Sequence, residues 1–327
     1  MKSNYLSKIV SVIALLSFSF FTACSNDDDR PSNQEKTIAA LASSKSELSI
    51  LVQALDKAGL VSVLNSPGEF TVFAPTNTAF TDFLQANGFS SLNEVPVDAL
   101  REILLNHVIN TELDADDLST GYLKTLAKGS ASATNTLSLF VNTTNGVVLN
   151  GGASNNGATV TQADLDASNG VIHIVDHVIA LPTIVNHAIA NPNFQILVQA
   201  LTRNDQPDFA GILSGTTSSP FTVFAPTNQA FVDLLGELNL SGLDQVPQAT
   251  LENTLKYHVL TSINALSTSL TNGMNVTTFQ GSNFTINTGN TITITDANNR
   301  VSTVIATDVQ ASNGVIHAIN KVILPNL

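Results

Sequence analysis

The eight residues FTVFAPTN at positions 70–77 return letter for letter at positions 221–228. Two other blocks recur in the same order: LVQAL at Leu51 and Leu197, and ASNGVIH at Ala167 and Ala311. A repeat of this period indicates two copies of one structural unit, which we place at 37–181 and 182–327. The offset between copies changes from 146 to 151 and then to 144 residues, as expected where surface loops accept insertions.

The composition bounds the class of protein. With 327 residues, 43% of them hydrophobic, the chain can bury about two domain cores at ~100 to 200 residues each. The formal net charge is −13, which would repel phosphate backbones and argues against nucleic-acid binding. The single cysteine excludes an intramolecular disulfide and any metal site built from several cysteines.

Each copy predicts a mixture of helix and strand. Apolar residues at helical spacing predict an opening helix within 48–60 and again within 196–201. The alternation in Phe70–Phe73 predicts a strand, which Pro75 ends because proline lacks an N–H donor. The side-chain oxygen of Asn77, and of Asn228 in the second copy, is expected to cap the helix that follows.

The later part of each copy predicts one more helix and then strands. Residues 100–109 and 251–260 predict a second core-facing helix, with a proline near its start. Hairpins are expected around Asn145-Gly146 and around Thr288-Gly289-Asn290. The apolar runs after Asn169-Gly170 and Asn313-Gly314 predict a closing strand in each copy.

The N-terminal 23 residues read as a cleaved export signal. Lys2 and Lys8 precede an apolar run over 9–21, which is shorter than the ~20 residues that span a bilayer as a helix. The run ends in Phe21-Thr22-Ala23-Cys24. This ending resembles the bacterial lipoprotein signal, although Phe21 stands where leucine is usual, and it implies that Cys24 is lipidated. An ordinary signal peptide with an incidental cysteine is the alternative.

Residues 24–36 read as a lipidated cysteine followed by a polar, flexible tether. Ser25 and Asn26 precede three aspartates at 27–29, and acidic residues at this place resemble the surface-export signal of Bacteroidetes lipoproteins. The resemblance implies an outer-membrane protein, lipid-anchored and exposed on the cell surface; the periplasmic face is the alternative. Without residues 1–23, eleven Lys and Arg face 26 Asp and Glu, so the exported part is distinctly acidic.

The repeated blocks resemble the fasciclin domain. They are FTVFAPTN with its following Ala-Phe, a mid-domain His-Val pair at His107 and His258, and the terminal NGVIH segment. The resemblance covers both copies. It implies two tandem α+β domains, each a β wedge or sandwich packed against several α-helices. It also implies an extracellular adhesion or interaction module with no catalytic activity and no cofactor.

The six histidines are the natural candidates for a site. A histidine repeated beside apolar residues, as His107 and His258 are, is expected to make hydrogen bonds within the core. In some animal fasciclin domains a Tyr-His pair at this place is tied to integrin contact. Only the second copy has that pair, as Tyr257-His258, while the first reads Asn106-His107. We therefore keep Tyr257, His258 and His107 as candidate interaction residues, with packing as the alternative.

Other polar residues have simpler explanations. His173 and His177 are four apart, a zinc spacing on a helix, but on a strand their rings would lie ~13 Å apart at ~3.3 Å per residue. We therefore predict no metal site there. His187 is expected in a solvated segment between the copies.

The acidic residues are expected to have structural roles. The cluster Asp114, Asp116 and Asp117 lacks the glycine and distal glutamate of a calcium loop, so a solvated turn or helix cap is expected. Asp164 and Asp308 are expected to organise the loop before the final block through their carboxylates.

These observations leave an interaction protein as the main hypothesis. The predicted partner is an extracellular protein or a polysaccharide, and tandem domains raise avidity when both make contact. The alternatives are an accessory polysaccharide-binding protein and a structural envelope lipoprotein facing the periplasm. An enzyme such as a glycan hydrolase is disfavoured, because the sequence contains no G-x-S-x-G elbow and no glycine-rich phosphate loop after a strand.

Overall fold

The computed structural model describes residues 35–326. The predicted signal peptide, Cys24 and nearly all of the predicted tether lie outside the described residues. Within 35–326, no helix combines the length and apolar character needed to cross a membrane.

The first copy opens with helices and continues with strands, in the order that the sequence predicts. Its helices are α1 Ile38–Ser43, α2 Ser49–Lys57, α3 Val61–Asn65, α4 Asn77–Ala86 and α5 Val97–Leu105. Its strands are β1 Phe70–Pro75, β2 Val108–Ile109, β3 Gly121–Lys128, β4 Thr136–Asn142, β5 Val148–Leu149, β6 Ala158–Ala167 and β7 Gly170–Val175.

The second copy repeats that order of elements. Its helices are α6 Ile184–Ala190, α7 Gln195–Leu201, α8 Phe209–Ser214, α9 Asn228–Glu237 and α10 Gln248–Tyr257. Its strands are β8 Phe221–Pro226, β9 Val259–Leu260, β10 Met274–Thr277, β11 Asn283–Thr288, β12 Ile292–Thr295, β13 Val301–Ala311 and β14 Gly314–Ile319. The predicted hairpins are confirmed as β4–β5 and β11–β12.

The two sheets share one strand order but differ in closure. In the first domain β1–β7 form a closed barrel, in which β1 runs parallel to β7. In the second domain the order is β10-β11-β12-β13-β14-β8-β9, with β8 parallel to β14. This second sheet stays open because β9 and β10 do not pair; near the gap, the N–H of Phe279 donates to the C=O of Val259.

The repeated strands lie at the centre of both cores. All six residues of β1 and of β8 are buried, since helices cover one face and the interior of the sheet covers the other. Phe70 and Val72 pack with the helices, whereas Phe73 packs inside the barrel with Leu139 and Val141. The predicted mixture of helix and strand in each copy is therefore confirmed.

The second core-facing helix predicted in each copy, which is α5 in the first copy and α10 in the second, ends earlier than predicted, so the prediction was wrong for its last residues. The helix ends at Leu105, and Val108-Ile109 form strand β2, which pairs antiparallel with Thr71 and Val72. The second copy does the same at Val259-Leu260. The apolar pattern continues past the helix end, but these β-branched and aliphatic residues complete the ladder beside the central strand.

The prediction that Asn77 caps its own helix was also wrong. The Thr76 hydroxyl accepts from the N–H of Ala79 and caps α4. Asn77 instead caps the preceding helix α2, because its Oδ1 accepts from the N–H of Ile50 at 2.9 Å. Asn228 makes the same bond to Ile196. A residue at the start of one helix thus fixes a second helix against it.

A buried asparagine ties the closing hairpin of each copy to the helical layer. Asn313 accepts from the N–H of Ile184 and donates to the carbonyls of Leu213 and Gly215. Asn169 makes the equivalent bonds in the first domain, to Ile38, Leu64 and Ser66. These bonds explain the repeated Asn-Gly: its side chain satisfies backbone groups at two helix ends that have no partner within the helix.

Candidate functional site

The candidate residues His107 and His258 are buried and bonded through both ring nitrogens. Each follows the end of its helix, rather than lying within it, and its Nδ1 lies 2.7 Å from a carbonyl four residues earlier. The Nε2 atoms accept from the N–H of Ile179 at 2.9 Å and of Ile323 at 3.1 Å. Because a backbone N–H donates to one nitrogen and a carbonyl accepts from the other, only the neutral ring fits both bonds. Burial lowers the pKa of both rings to about 4.

Tyr257 is fully buried beside His258. Its hydroxyl donates to the carbonyl of Asn283 at 2.6 Å and accepts from the N–H of Ala297 at 3.2 Å. Burial raises the pKa of Tyr257 to about 12, so the hydroxyl keeps its proton and remains a donor. The pair therefore joins α10 to the β-rich half of the domain. The contact role expected by resemblance stays a prediction, and a partner would have to reach a residue that is buried in this structure.

We expect Tyr257→Phe to lower the free energy of unfolding by about 1 to 3 kcal/mol, because it leaves two buried backbone groups without a partner. Urea unfolding followed by circular dichroism measures this. Tyr122→Phe is the matched control, since its hydroxyl has one long bond of 3.4 Å, to Asn191, and the loss should be smaller. If Tyr257 acts only in packing, the folded variant retains full adhesion. Lost adhesion with unchanged stability would contradict the packing role.

A second repeated histidine organises the loop before the final block. His173 accepts from the N–H of Asp164, and its Nε2 lies 2.9 Å from the carbonyl of Leu113. His317 repeats this with Asp308 and Ala265. The two aspartates have positive φ values of 56° and 60°. Their carboxylates accept from backbone N–H groups across the loop, at Ala115 and Ser267, so they organise a neighbouring loop rather than their own turn.

The remaining polar candidates do not form a cluster. His173 lies in β7, whereas His177 lies beyond its end with its side chain 40% exposed and 3.1 Å from Asp176. Asp114 and Asp117 belong to an exposed turn, closed by the N–H of Asp117 donating to the carbonyl of Asp114. Across residues 35–326, no group of three or more His, Cys, Asp or Glu side chains could hold a metal ion.

His187 was expected in solvent, and that prediction was wrong. It lies in α6 with its side chain fully buried, edge-on to the ring of Tyr122 from the first domain. Its Nε2 lies 3.3 Å from the carbonyl of Gln310, and its Nδ1 has no partner among the described residues. Burial lowers the pKa of His187 to about 4. The segment expected to be solvated between the copies is thus part of an interface between the domains.

Backbone and side-chain hydrogen bonds hold that interface together. Ser138 of the first domain accepts from the N–H of Gln310, and the Lys124 ammonium donates to the carbonyl of Asp308 at 2.8 Å. The N–H of Ala131 donates to the carbonyl of Ser312 at 3.0 Å. With these contacts the chain from Glu35 onward forms one compact unit. Sequence reasoning missed Lys124, Ala131 and Ser138, because none of these three residues carries a motif.

The interface uses residues that only the second copy possesses. At the positions equivalent to His187 and Gln310, the first copy has Leu41 and Asp166. The side chain of Leu41 has no aromatic ring to pack against a tyrosine, as His187 packs against Tyr122. Gln310 contacts the first domain through its backbone N–H, while its side-chain amide bonds to Asn264, Ala311 and Gly314 within its own domain.

The chain matches the fasciclin domain model over residues 46–182 and again over 192–325. The chain belongs to the fasciclin family. Protein sll1483 from Synechocystis is 38% identical over 45% of this chain and 74% of its own length. Human periostin is 31% identical over 83% of this chain but 30% of its own length. Pig transforming growth factor-beta-induced protein ig-h3 is 27% identical over 80% of this chain and 36% of its own length.

The tandem arrangement also has a solved counterpart. A fasciclin domain pair from the insect cell adhesion molecule fasciclin I superposes with a TM-score of 0.53 at 21% identity, covering 85% of this chain and 97% of that pair. At this sequence identity the match is evidence for the fold alone. It confirms the predicted fold class of two fasciclin domains, each a β barrel or wedge with helices. The chain spans about a third of the length of the two animal relatives.

Proposed function

We propose that the protein is a non-catalytic adhesion lipoprotein, anchored through lipid on Cys24 and exposed on the outer-membrane surface, that binds an extracellular protein or glycan. The observation that carries the proposal is the docked pair of fasciclin domains, an arrangement of the same fold as the pair from an insect cell adhesion molecule. The membrane contact would be made through the lipid alone.

The interface supports binding by both domains at once. A rigid pair holds two surfaces at a fixed separation, so a second contact follows the first without the entropy loss of ordering a linker. The acidic tether would then supply the reach that the rigid pair lacks.

Four of the five buried histidines within residues 35–326 support a role without catalysis. A general base needs a nitrogen that is free to take a proton from a substrate. In His107, His258, His173 and His317 both ring nitrogens are already bonded to the backbone of their own domain. These rings therefore stabilise the fold.

Proteinase treatment of intact cells tests the anchor and its orientation. We expect externally added protease to remove the full-length protein from whole cells, because both domains would lie outside the outer membrane. The Cys24→Ala variant should lose lipidation and leave the membrane fraction, since no other residue could accept the lipid thioether. A periplasmic control protein verifies that the cells stay closed.

Two outcomes would contradict the proposal. Protection of the wild-type protein in closed cells would place the domains on the periplasmic face and favour a structural envelope role. Retention of the Cys24→Ala variant in the membrane fraction would contradict anchoring through a lipid on Cys24. Adhesion of the purified domain pair to matrix proteins and polysaccharides is measured separately, so the binding role is tested independently of location.

A further inference from the structure

The second domain carries a surface depression of about 470 Å³. The residues that line it differ from the equivalent residues of the first domain. Six of its lining residues matter here: Asp208, Gly211, Ile212, Thr217, Ser218 and Phe279. Its volume lies within the ~300 to 1,000 Å³ of sites that bind small molecules. It lies away from the buried Tyr257-His258 pair, whose residues do not line it.

The depression coincides with the residues inserted in the second copy. Asn169 bonds to Leu64 and Ser66 as Asn313 bonds to Leu213 and Gly215, so these carbonyls are equivalent. Counted from these pairs, three of the five extra residues precede Leu213 and two follow Gly215.

Both inserted segments contribute to the lining. Asp208 comes from the first, and Thr217 and Ser218 come from the second. Neither segment makes the core larger, since all three residues lie outside the hydrophobic clusters of buried residues. Two lengthened segments therefore meet at one surface, and binding residues are found disproportionately on loops that a rigid scaffold positions.

Phe279 supplies an exposed aromatic ring at this place. It is 39% exposed and is the only exposed phenylalanine within residues 35–326. The Lys256 ammonium lies 5.8 Å from the ring centroid and pairs with Glu252 on the same helix. At this distance the ammonium makes a cation–π contact with the ring. Beside it, Ile212 is 37% exposed, which extends the apolar floor.

Polar groups surround this floor. The Asp208 carboxylate accepts from the N–H of Gly211 through Oδ1 and retains further acceptor capacity on its two oxygens. Thr217 and Ser218 are exposed, and each hydroxyl can both donate and accept. The arrangement is an aromatic platform with short hydroxyls and one carboxylate at its side.

We propose that this depression binds a neutral pyranose residue of an extracellular polysaccharide. The ring of Phe279 would pack against the apolar C–H face of the sugar, while Asp208, Thr217 and Ser218 bond its hydroxyls. Acidic sugars fit poorly, because Asp208 and the net charge of −13 would repel a carboxylate or sulfate, and the Lys256 ammonium beside the ring is already paired with Glu252. This inference rests on the proposed binding function and narrows its partner to a neutral glycan.

Affinity electrophoresis of the domain pair in gels containing a neutral β-glucan, a neutral mannan or polygalacturonate tests the site. We expect retardation by a neutral polysaccharide and none by polygalacturonate. Phe279→Ala should weaken retardation about tenfold, the loss typical of truncating an aromatic anchor, and Phe279→Trp should retain it. Asp208→Asn keeps the helix-capping acceptor but removes the charge, and should weaken retardation by neutral glycans less than Phe279→Ala.

Val232→Ala is the matched control, because Val232 is 52% exposed on α9 and does not line the depression. Circular dichroism verifies that every variant is folded. Equal retardation of Phe279→Ala and wild type would overturn the site while leaving glycan binding intact. Absence of retardation by both neutral polysaccharides, or stronger retardation by polygalacturonate, would overturn the assignment of a neutral glycan. Neither result affects the surface location, which the proteinase experiment decides.

Discussion

Lowering the pH from 7 to 5 should remove about 6 kcal/mol from the free energy of unfolding, through three buried histidines. In the unfolded chain each takes up a proton near its ordinary pKa of 6.5, whereas in the folded chain His107, His187 and His258 have a pKa of about 4. Between these values the unfolded state holds more protons, so stability falls as the pH falls from 6.5 towards 4. Above pH 6.5 these groups contribute no further change.

The hydrogen bonds explain why protonation is so costly. The lone pair of Nε2 in His107 and His258 already accepts from a buried backbone N–H. A proton at that nitrogen would replace each accepted bond by two facing donors, in the buried core. His317 has the same arrangement through Nδ1, and burial lowers its pKa in the same direction.

Urea unfolding at pH 7 and pH 5, followed by circular dichroism, measures the loss. His258→Gln keeps one donor and one acceptor without a titrating group, so we expect its pH dependence to shrink by about 2 kcal/mol, the share of one histidine. Equal stability of the wild type at both pH values would contradict the role of the buried rings.

The division of the chain into two similar domains was predictable, because the same blocks of sequence recur in the same order. The recurrence of FTVFAPTN and ASNGVIH indicated the two copies, and their alternating and continuous apolar runs predicted β1 and β7 in the first copy and β8 and β14 in the second. The sequence did not show that Phe70–Pro75 is buried on both faces. That burial follows from parallel pairing with Gly170–Val175, a contact 100 residues away that no local pattern contains.

Local endings were less predictable, since neighbours distant in sequence decide them. Val108-Ile109 continue the apolar pattern of the helix before them, but pairing with Thr71 draws them into the sheet. Asn77 is a good capping residue by type, and Thr76 beside it is another. Only the position of Ile50 shows which helix each one caps.

The candidate sites were predictable only where a motif marks them. The repeated histidines were visible because both copies contain them, and the prediction of hydrogen bonds within the core is consistent with their contacts. His187 and the depression beside Phe279 belong to one copy alone, so comparison of the copies gave no motif for them. The one indication in the sequence was that the offset between the copies rises from 146 to 151 residues, because residues of the lengthened segments line the depression. The structure was needed to show that these segments meet at one surface.

Replacing Gly314 by alanine should cost about 3 kcal/mol or more, because it forces the paired central strands apart. A Cβ atom at Gly314 would lie 2.2 Å from the carbonyl oxygen of Phe221, and neither backbone can move without breaking the parallel pairing of β8 and β14. In the first domain Gly170 is equivalent, with a Cβ atom 1.9 Å from the carbonyl oxygen of Phe70 and a φ of 137°. The glycine in each NGVIH block is thus required by the close approach of a strand.

Matched glycines separate this clash from the general effect of adding a methyl group. Gly289→Ala has open space around it, so it should be near neutral, while Gly314→Ala unfolds at much lower urea. Gly146 has a φ of 82° and open space, so Gly146→Ala carries the backbone strain of about 1 kcal/mol without the clash. Gly170→Ala should therefore lose far more stability than Gly146→Ala. Similar losses in both members of either pair would show that the close approach of the paired strands does not require these glycines, because the strands can shift to admit a side chain.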